Sequence, residues 1–175
     1  LPKGSDGQYS GKQGQVIIVR ISDIKAATKV QGRFLGRTLP LFPNPDGGAD
    51  SAYLGLLGID MQDEPGTHEL TVEIQTGEQI SRRSVNVLVV KEKFAIEHLK
   101  LPKDKVDLDD KAAARWKAEQ EQVKKTLAEE SAMRLWQAGF IEPVHWKRTG
   151  IFGSVRVMNG QARNPHSGED IGAPS

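Results

Sequence analysis

The sequence predicts a mainly β protein: an immunoglobulin-like β-sandwich over residues 1–101, a helical linker over 102–139, and over 140–175 the incomplete first strands of an antiparallel β-domain. Three observations carry this reading. Short apolar runs alternate with turn chemistry from Val16 to Phe94, with no helical periodicity among them. From Asp110 to Gln137 the composition shifts to Ala, Glu, Lys and Gln, without Gly or Pro. Extended patterning then returns around one Asn-Gly pair.

In the first region, Val16 to Ile21 is a continuous apolar run, Val30 to Phe42 carries Gly32 and Gly36, and Tyr53 to Met61 is again apolar. Leu70, Val72 and Ile74 alternate with Thr71, Glu73 and Gln75, the period of a sheet with one wet face; Val85, Val87 and Val89 repeat it. Turns are expected at Asn44-Pro45-Asp46-Gly47-Gly48, Asp63-Glu64-Pro65-Gly66 and Thr76-Gly77-Glu78. Five or more short strands at such spacing suggest a sandwich rather than a parallel sheet, ending near Leu101.

Asp109 is placed to cap a helix running from about Asp110 to Gln137. Trp116, Val123 and Leu127 form one apolar stripe, Lys117/Glu121 and Glu121/Lys125 are charge pairs at helical spacing, and Gly139 supplies a stop. A surface helix joining two domains accounts for this pattern. Beyond it, Ser154 to Met158 reads as one arm of a hairpin, Asn159-Gly160 as its two-residue turn and Gln161 to Arg163 as the start of the return arm. About 35 residues do not close an independent core without metal, disulfides or a partner, so an interrupted domain is expected here. A strand starting at Asp170 without neighbours is expected to pair with another chain or to be poorly ordered.

Composition removes several function classes. With 24 Lys/Arg against 23 Asp/Glu, the net charge of +1 offers no concentrated positive field for nucleic acid. Cysteine is absent, so a metal site must be built from His, Asp and Glu. No segment approaches the roughly 20 apolar residues that span a bilayer. The chain starts at Leu1 rather than Met, so the expectation is that it begins inside the gene or has had a signal or anchor segment removed.

The chemistry-bearing residues lie between Asn164 and Pro174. His166 and Asp170 are four apart, but Pro165 and Gly168 argue against a helix. Fully extended, they would lie about 13 Å apart. Two ligands of one zinc, each bonded at about 2.0–2.2 Å, must come much closer. Ser167-Gly168 is where the chain can bend to bring them together.

Phe152-Gly153, Arg156, Asn159-Gly160, Arg163, His166-Ser167-Gly168, Asp170-Ile171 and Ala173-Pro174 together resemble the opening of the lysostaphin/LytM-type zinc endopeptidase domain, in the same order. Tyr53 to Asp60 and Pro65-Gly66-Thr67-His68 look like the β-sandwich preceding that domain in some Gram-negative members. The resemblance implies that His166 and Asp170 are two zinc ligands, with Glu169 at a position that alternates away from the metal. It also implies a third ligand in a later His-x-His motif and catalytic histidines downstream of Ser175, so no catalytic residue is expected within these 175 residues. The implied substrate is a peptidoglycan peptide, cleaved in the periplasm or elsewhere outside the cytoplasmic membrane. The implied partner is the C-terminal remainder of the peptidase domain, or a swapped copy of it.

The other histidines are read as structural: His68 and His98 as solvent-facing, His145 as having no ligand counterpart in the family. Arg156 and Arg163 could bind acidic substrate groups but are expected to pair with Glu169 and solvent, and Tyr53 and Trp116 to pack in the core or between domains. The competing reading is a degenerate, non-catalytic envelope scaffold or activator. A small β-sandwich adhesin or chaperone would leave the His-Ser-Gly-Glu-Asp segment unexplained.

Overall fold

The computed structural model describes residues 8–24, 27–47, 52–100, 102, 109–131, 133–136 and 139–174. Gly48, Leu101, Gln137 and Ser175, where some expected turns and boundaries fall, lie outside the described residues. The chain divides into two units, Leu1–Lys93 and Phe94–Ser175. The mainly β architecture expected from the sequence is the one observed.

In the first unit, β1 (Gln8–Lys12), β8 (Gln79–Val90), β7 (Gly66–Thr76), β3 (Lys29–Phe34) and β4 (Arg37–Pro40) form a five-stranded sheet in that order. The strands β2 (Val16–Ile21), β6 (Tyr53–Gly58) and β5 (Phe42–Pro43) form a three-stranded one. Most neighbours are antiparallel, but β1 runs parallel to β8, a pairing that local periodicity does not encode. Turn chemistry sets the registers. Leu35 and Gly36 both have positive φ (46° and 78°) between Phe34 and Arg37, as a two-residue type I′ hairpin requires. Gly77, at φ 59°, opens the two-residue link between Thr76 and Gln79.

Both sheets feed one core. Ile17, Val19 and Ile21 of β2 turn inward against Val30 and Phe34 of β3, Leu70, Val72 and Ile74 of β7, and Val87 and Val89 of β8. Each such side chain contributes about 1.5–3 kcal/mol on burial, which is why the alternating pattern determines which face of each strand points inward. Tyr53 packs against this core, as expected, whereas Val85 is only half-buried.

A charged clasp closes one edge of this unit. Asp63, 8% exposed, accepts from Arg37 Nη1 at 2.8 Å and from the Asp60 amide at 2.8 Å, and the Arg37 guanidinium lies over the Phe34 ring. Burial pushes the Asp63 carboxyl up. The Arg37 hydrogen bond, the Asp60 amide and the Arg37 charge outweigh that effect and hold it below the ordinary carboxylate range.

In the second unit, β9 (Ile96–Leu99), β11 (Val155–Met158) and β12 (Gln161–Ala162) form a three-stranded sheet in the order β12-β11-β9. A two-stranded sheet joins β10 (Arg148–Gly150) to β13 (Asp170–Ile171). Composition places the first boundary near Leu101, but the division falls at Lys93/Phe94. The reason is β9, whose residues Ile96 to Leu99 run parallel to Val155 to Met158. The strand at Asp170 was expected to lack a neighbour within the chain; it pairs antiparallel with β10.

The helix α1 (Asp110–Leu127) starts where expected, with the Asp109 carboxylate accepting from the Ala112 amide at 2.7 Å. It stops ten residues before Gln137. None of its residues is buried, so no packing energy extends it, and Glu129 and Glu130 are unfavourable at the negative end of its dipole. Ser131 then engages the backbone of Met133 in place of a helical turn. Its ion pairs are Arg115–Glu119 and Glu121–Lys124 rather than the expected Lys117/Glu121 and Glu121/Lys125. Trp116, expected in packing, is 57% exposed, because the stripe it shares with Val123 and Leu127 is left uncovered.

Candidate metal site

The site is assembled from short stretches of the second unit, beginning with its hairpin. Asn159 (φ 50°) and Gly160 (φ 83°) form the type I′ turn that the Asn-Gly pair predicts, with Met158 opposite Gln161 and Val157 opposite Ala162. The Arg163 amide extends the ladder by donating to the Arg156 carbonyl at 2.9 Å. The chain therefore returns past the start of its own hairpin. There the Gly153 amide donates to the His166 carbonyl at 2.7 Å, and the His166 amide donates to the Ser154 carbonyl at 2.9 Å.

Gly153 cannot be replaced cheaply: its φ of 81° disfavours other residues, and a side chain would run into the Phe94 ring. This is the physical content of the Phe-Gly pair. The chain bends at Gly168 and enters β13, which sets Asp170 opposite Gly150.

That path brings His166 Nε2 to 3.1 Å from Asp170 Oδ1. The other ring nitrogen, Nδ1, lies 3.3 Å from the Ile151 carbonyl. The Ile151 carbonyl and the Asp170 carboxylate both only accept, so each ring nitrogen faces an acceptor. A lone pair facing a carboxylate oxygen at that distance is repulsive unless a cation lies between them, either a proton or a metal ion. Two ligands of a tetrahedral zinc bonded at about 2.0–2.1 Å sit about 3.3 Å apart, so the pair fits such an ion. The carbonyl behind the imidazole is the outer contact that metal-binding histidines use. His166 is 16% exposed and Asp170 50%, so the pair opens to solvent from the carboxylate side.

The second oxygen of Asp170, Oδ2, lies 3.3 Å from Arg156 Nη2, and Arg156 Nε lies 3.5 Å from Glu97 Oε2. Arg156 was expected to pair with Glu169. It cannot, because Glu169 turns the other way, accepting from the Phe152 amide at 3.2 Å and pairing with Arg148 at 3.3 Å. Arg163 engages Gln161 rather than Glu169.

No third ligand joins the pair among the described residues, where no cluster of three or more His, Asp or Glu residues suited to a metal occurs. His68 bonds the Glu64 carbonyl and meets the Phe34 ring edge-on, His98 is exposed on β9, and His145 pairs with Glu142. Sequence reasoning missed Glu97, the Ile151 carbonyl and Gly150. A backbone carbonyl and a glycine carry no signal of their own, and Glu97 acts through a parallel pairing with a strand nearly sixty residues away.

No family model matches the sequence, and no curated protein matches it. Among solved structures, an endo-beta-1,4-mannanase from Thermotoga petrophila overlaps 50% of this chain and 18% of its own, at 17% identity and a TM-score of 0.37, too low to bear on the fold. A crystal structure named as a peptidase M23 from Pseudomonas aeruginosa is similar over 93% of this chain, with a TM-score of 0.56 and 14% identity. The chain thus shares the fold of that structure over nearly all its length and spans about half, 54%, of that protein.

Proposed function

We propose that this chain is the N-terminal part of a zinc metalloendopeptidase that hydrolyses peptide bonds in peptidoglycan cross-links or stems, outside the cytoplasmic membrane. The observation that carries the reading is the approach of His166 Nε2 to Asp170 Oδ1 at 3.1 Å, with Nδ1 facing the Ile151 carbonyl. The resemblance of residues 152–174 to the lysostaphin/LytM type and the fold shared with a chain named as an M23 peptidase support it. Zinc, when bound, supplies Lewis-acid activation of water and of the scissile carbonyl. His166 and Asp170 would hold it, while a third ligand and the catalytic histidines would come from residues beyond Ser175. Two ligands alone do not fix an open tetrahedral site, so the 175-residue chain is expected to bind zinc weakly and to leave peptidoglycan intact.

One observation favours a second reading, a non-catalytic scaffold or activator. Arg156 already gives Asp170 a counter-ion, so the carboxylate is balanced without metal. Zinc content and peptidoglycan hydrolysis of the full-length gene product, beside His166→Ala and Asp170→Ala, separate the two. Stoichiometric zinc and activity lost in both variants support the peptidase. A folded, zinc-free, inactive full-length protein supports the scaffold.

A further inference from the structure

A chain of charges adjoins the proposed ligand pair, running from Glu97 through Arg156 to Asp170. Glu97 and Arg156 are direct partners in the parallel pairing of β9 with β11, and their side chains meet at 3.5 Å. Arg156 uses its Nε for Glu97 and its Nη2 for Asp170 Oδ2, so one guanidinium holds two carboxylates through two different nitrogens. Its side chain is 26% exposed, the most sheltered of the arginines in the ion pairs described. Asp170 is thereby divided between partners, Oδ2 toward Arg156 and Oδ1 toward His166. Space for this arrangement exists because residue 150 is glycine. A Cβ there would sit against Asp170 Oδ2 and 2.9 Å from Arg156 Nη2.

We infer that Arg156, itself held by Glu97, is a positioning residue that fixes Asp170 as a one-oxygen metal ligand, presenting Oδ1 beside His166 Nε2. This rests on the metal-site reading of the pair. The guanidinium occupies the oxygen that would otherwise allow two-oxygen binding or free rotation of the carboxylate. Its planar fork is what allows one side chain to serve both acids; a lysine ammonium, a single point of charge, holds one of them at a time. Glu97 reaches the site from the segment before the helix, so the orientation of a ligand near the end of the chain depends on a residue more than seventy positions earlier.

The test uses the full-length gene product and reads zinc affinity by competition with a chromophoric chelator, with the visible absorption of the cobalt-substituted protein as a second readout. Circular dichroism checks that each variant is folded. Arg156→Ala is expected to weaken zinc binding about 10–100-fold, the usual cost of losing an outer contact to a ligand, and to change the cobalt band intensity as the carboxylate shifts its binding mode. Arg156→Lys should recover only part of that loss. Glu97→Gln, which keeps the side chain's size, should give a smaller loss in the same direction, and it carries the test if Arg156→Ala does not fold. A folded Arg156→Ala or Glu97→Gln variant with wild-type zinc affinity and cobalt spectrum overturns the inference. If the wild type binds zinc through His166 while these variants match it, the inference alone fails; if the wild type binds no zinc, the metal-site reading fails with it.

Discussion

Replacing Gly150 with alanine tests the geometry of the candidate site without removing any of its charged groups. The new methyl would lie 2.9 Å from Arg156 Nη2 and closer still to Asp170 Oδ2, where ordinary contacts begin near 3.4 Å. The guanidinium must therefore give by about half an ångström and the carboxylate by about 1 Å. Asp170 has a short side chain on a paired strand, so a shift of that size carries its oxygens out of register with both His166 and Arg156. On the proposed metal-site reading, misplacement of Asp170 by about 1 Å is expected to cost on the order of 10–100-fold in zinc affinity, or about 1.4–2.7 kcal/mol.

Fold stability should change far less. The β10–β13 pairing runs through the backbone, a solvent-open ion pair contributes only about 0.2–1 kcal/mol, and alanine regains about 0.5–1 kcal/mol that glycine loses in a strand. The assay is chelator competition on the full-length protein beside a thermal melt. A Gly150→Ala protein that binds zinc as tightly as the wild type would refute the argument that glycine is there to make room for the Arg156–Asp170 pair.

Asp63→Asn should destabilise the first unit at neutral pH by about 1–3 kcal/mol, measured by urea unfolding, because a charge-assisted bond to Arg37 is lost at a buried position. The folded carboxyl lies below its unfolded value of about 3.9, so this stability is present above that pH and disappears as pH falls through the folded value. The Asn variant should lose that part of the acid dependence, and an unchanged pH profile would contradict the assignment. Leu70→Ala, at a fully buried position of β7, should cost about 2–5 kcal/mol in the same assay; a loss under 1 kcal/mol would mean that the two sheets do not share the core described. Gly160→Val places a branched residue at φ 83° and should strain the hairpin by about 1–3 kcal/mol. Hydrogen exchange at the Gly153 and His166 amides should quicken, whereas unchanged protection would show that the turn does not position His166.

Much of this protein is legible locally. Val16–Ile21 is a strand because its run of β-branched residues suits a pleated surface, and Leu70, Val72 and Ile74 face inward because side chains alternate along a strand. Asp109 caps its helix and Asn159-Gly160 makes its turn through backbone preferences that need no distant partner. The bend between His166 and Asp170 also falls at Gly168, where a residue without a Cβ lets the chain turn.

What the sequence by itself determined was therefore the strand periodicity, the turns, the helix start and the bend at Gly168, all features acting within a few residues. Only the tertiary structure decided the rest. The parallel pairings of β1 with β8 and of β9 with β11 join segments far apart in the chain, and the second of these moves the unit boundary back to Lys93. The end of the helix, the clasp of Arg37 on Asp63, and the partition of Asp170 between His166 and Arg156 likewise depend on what lies across space. Periodicity reports which face of an element is apolar; charge pairs, close approaches at glycine and strand partners are set by where the backbone brings those faces together.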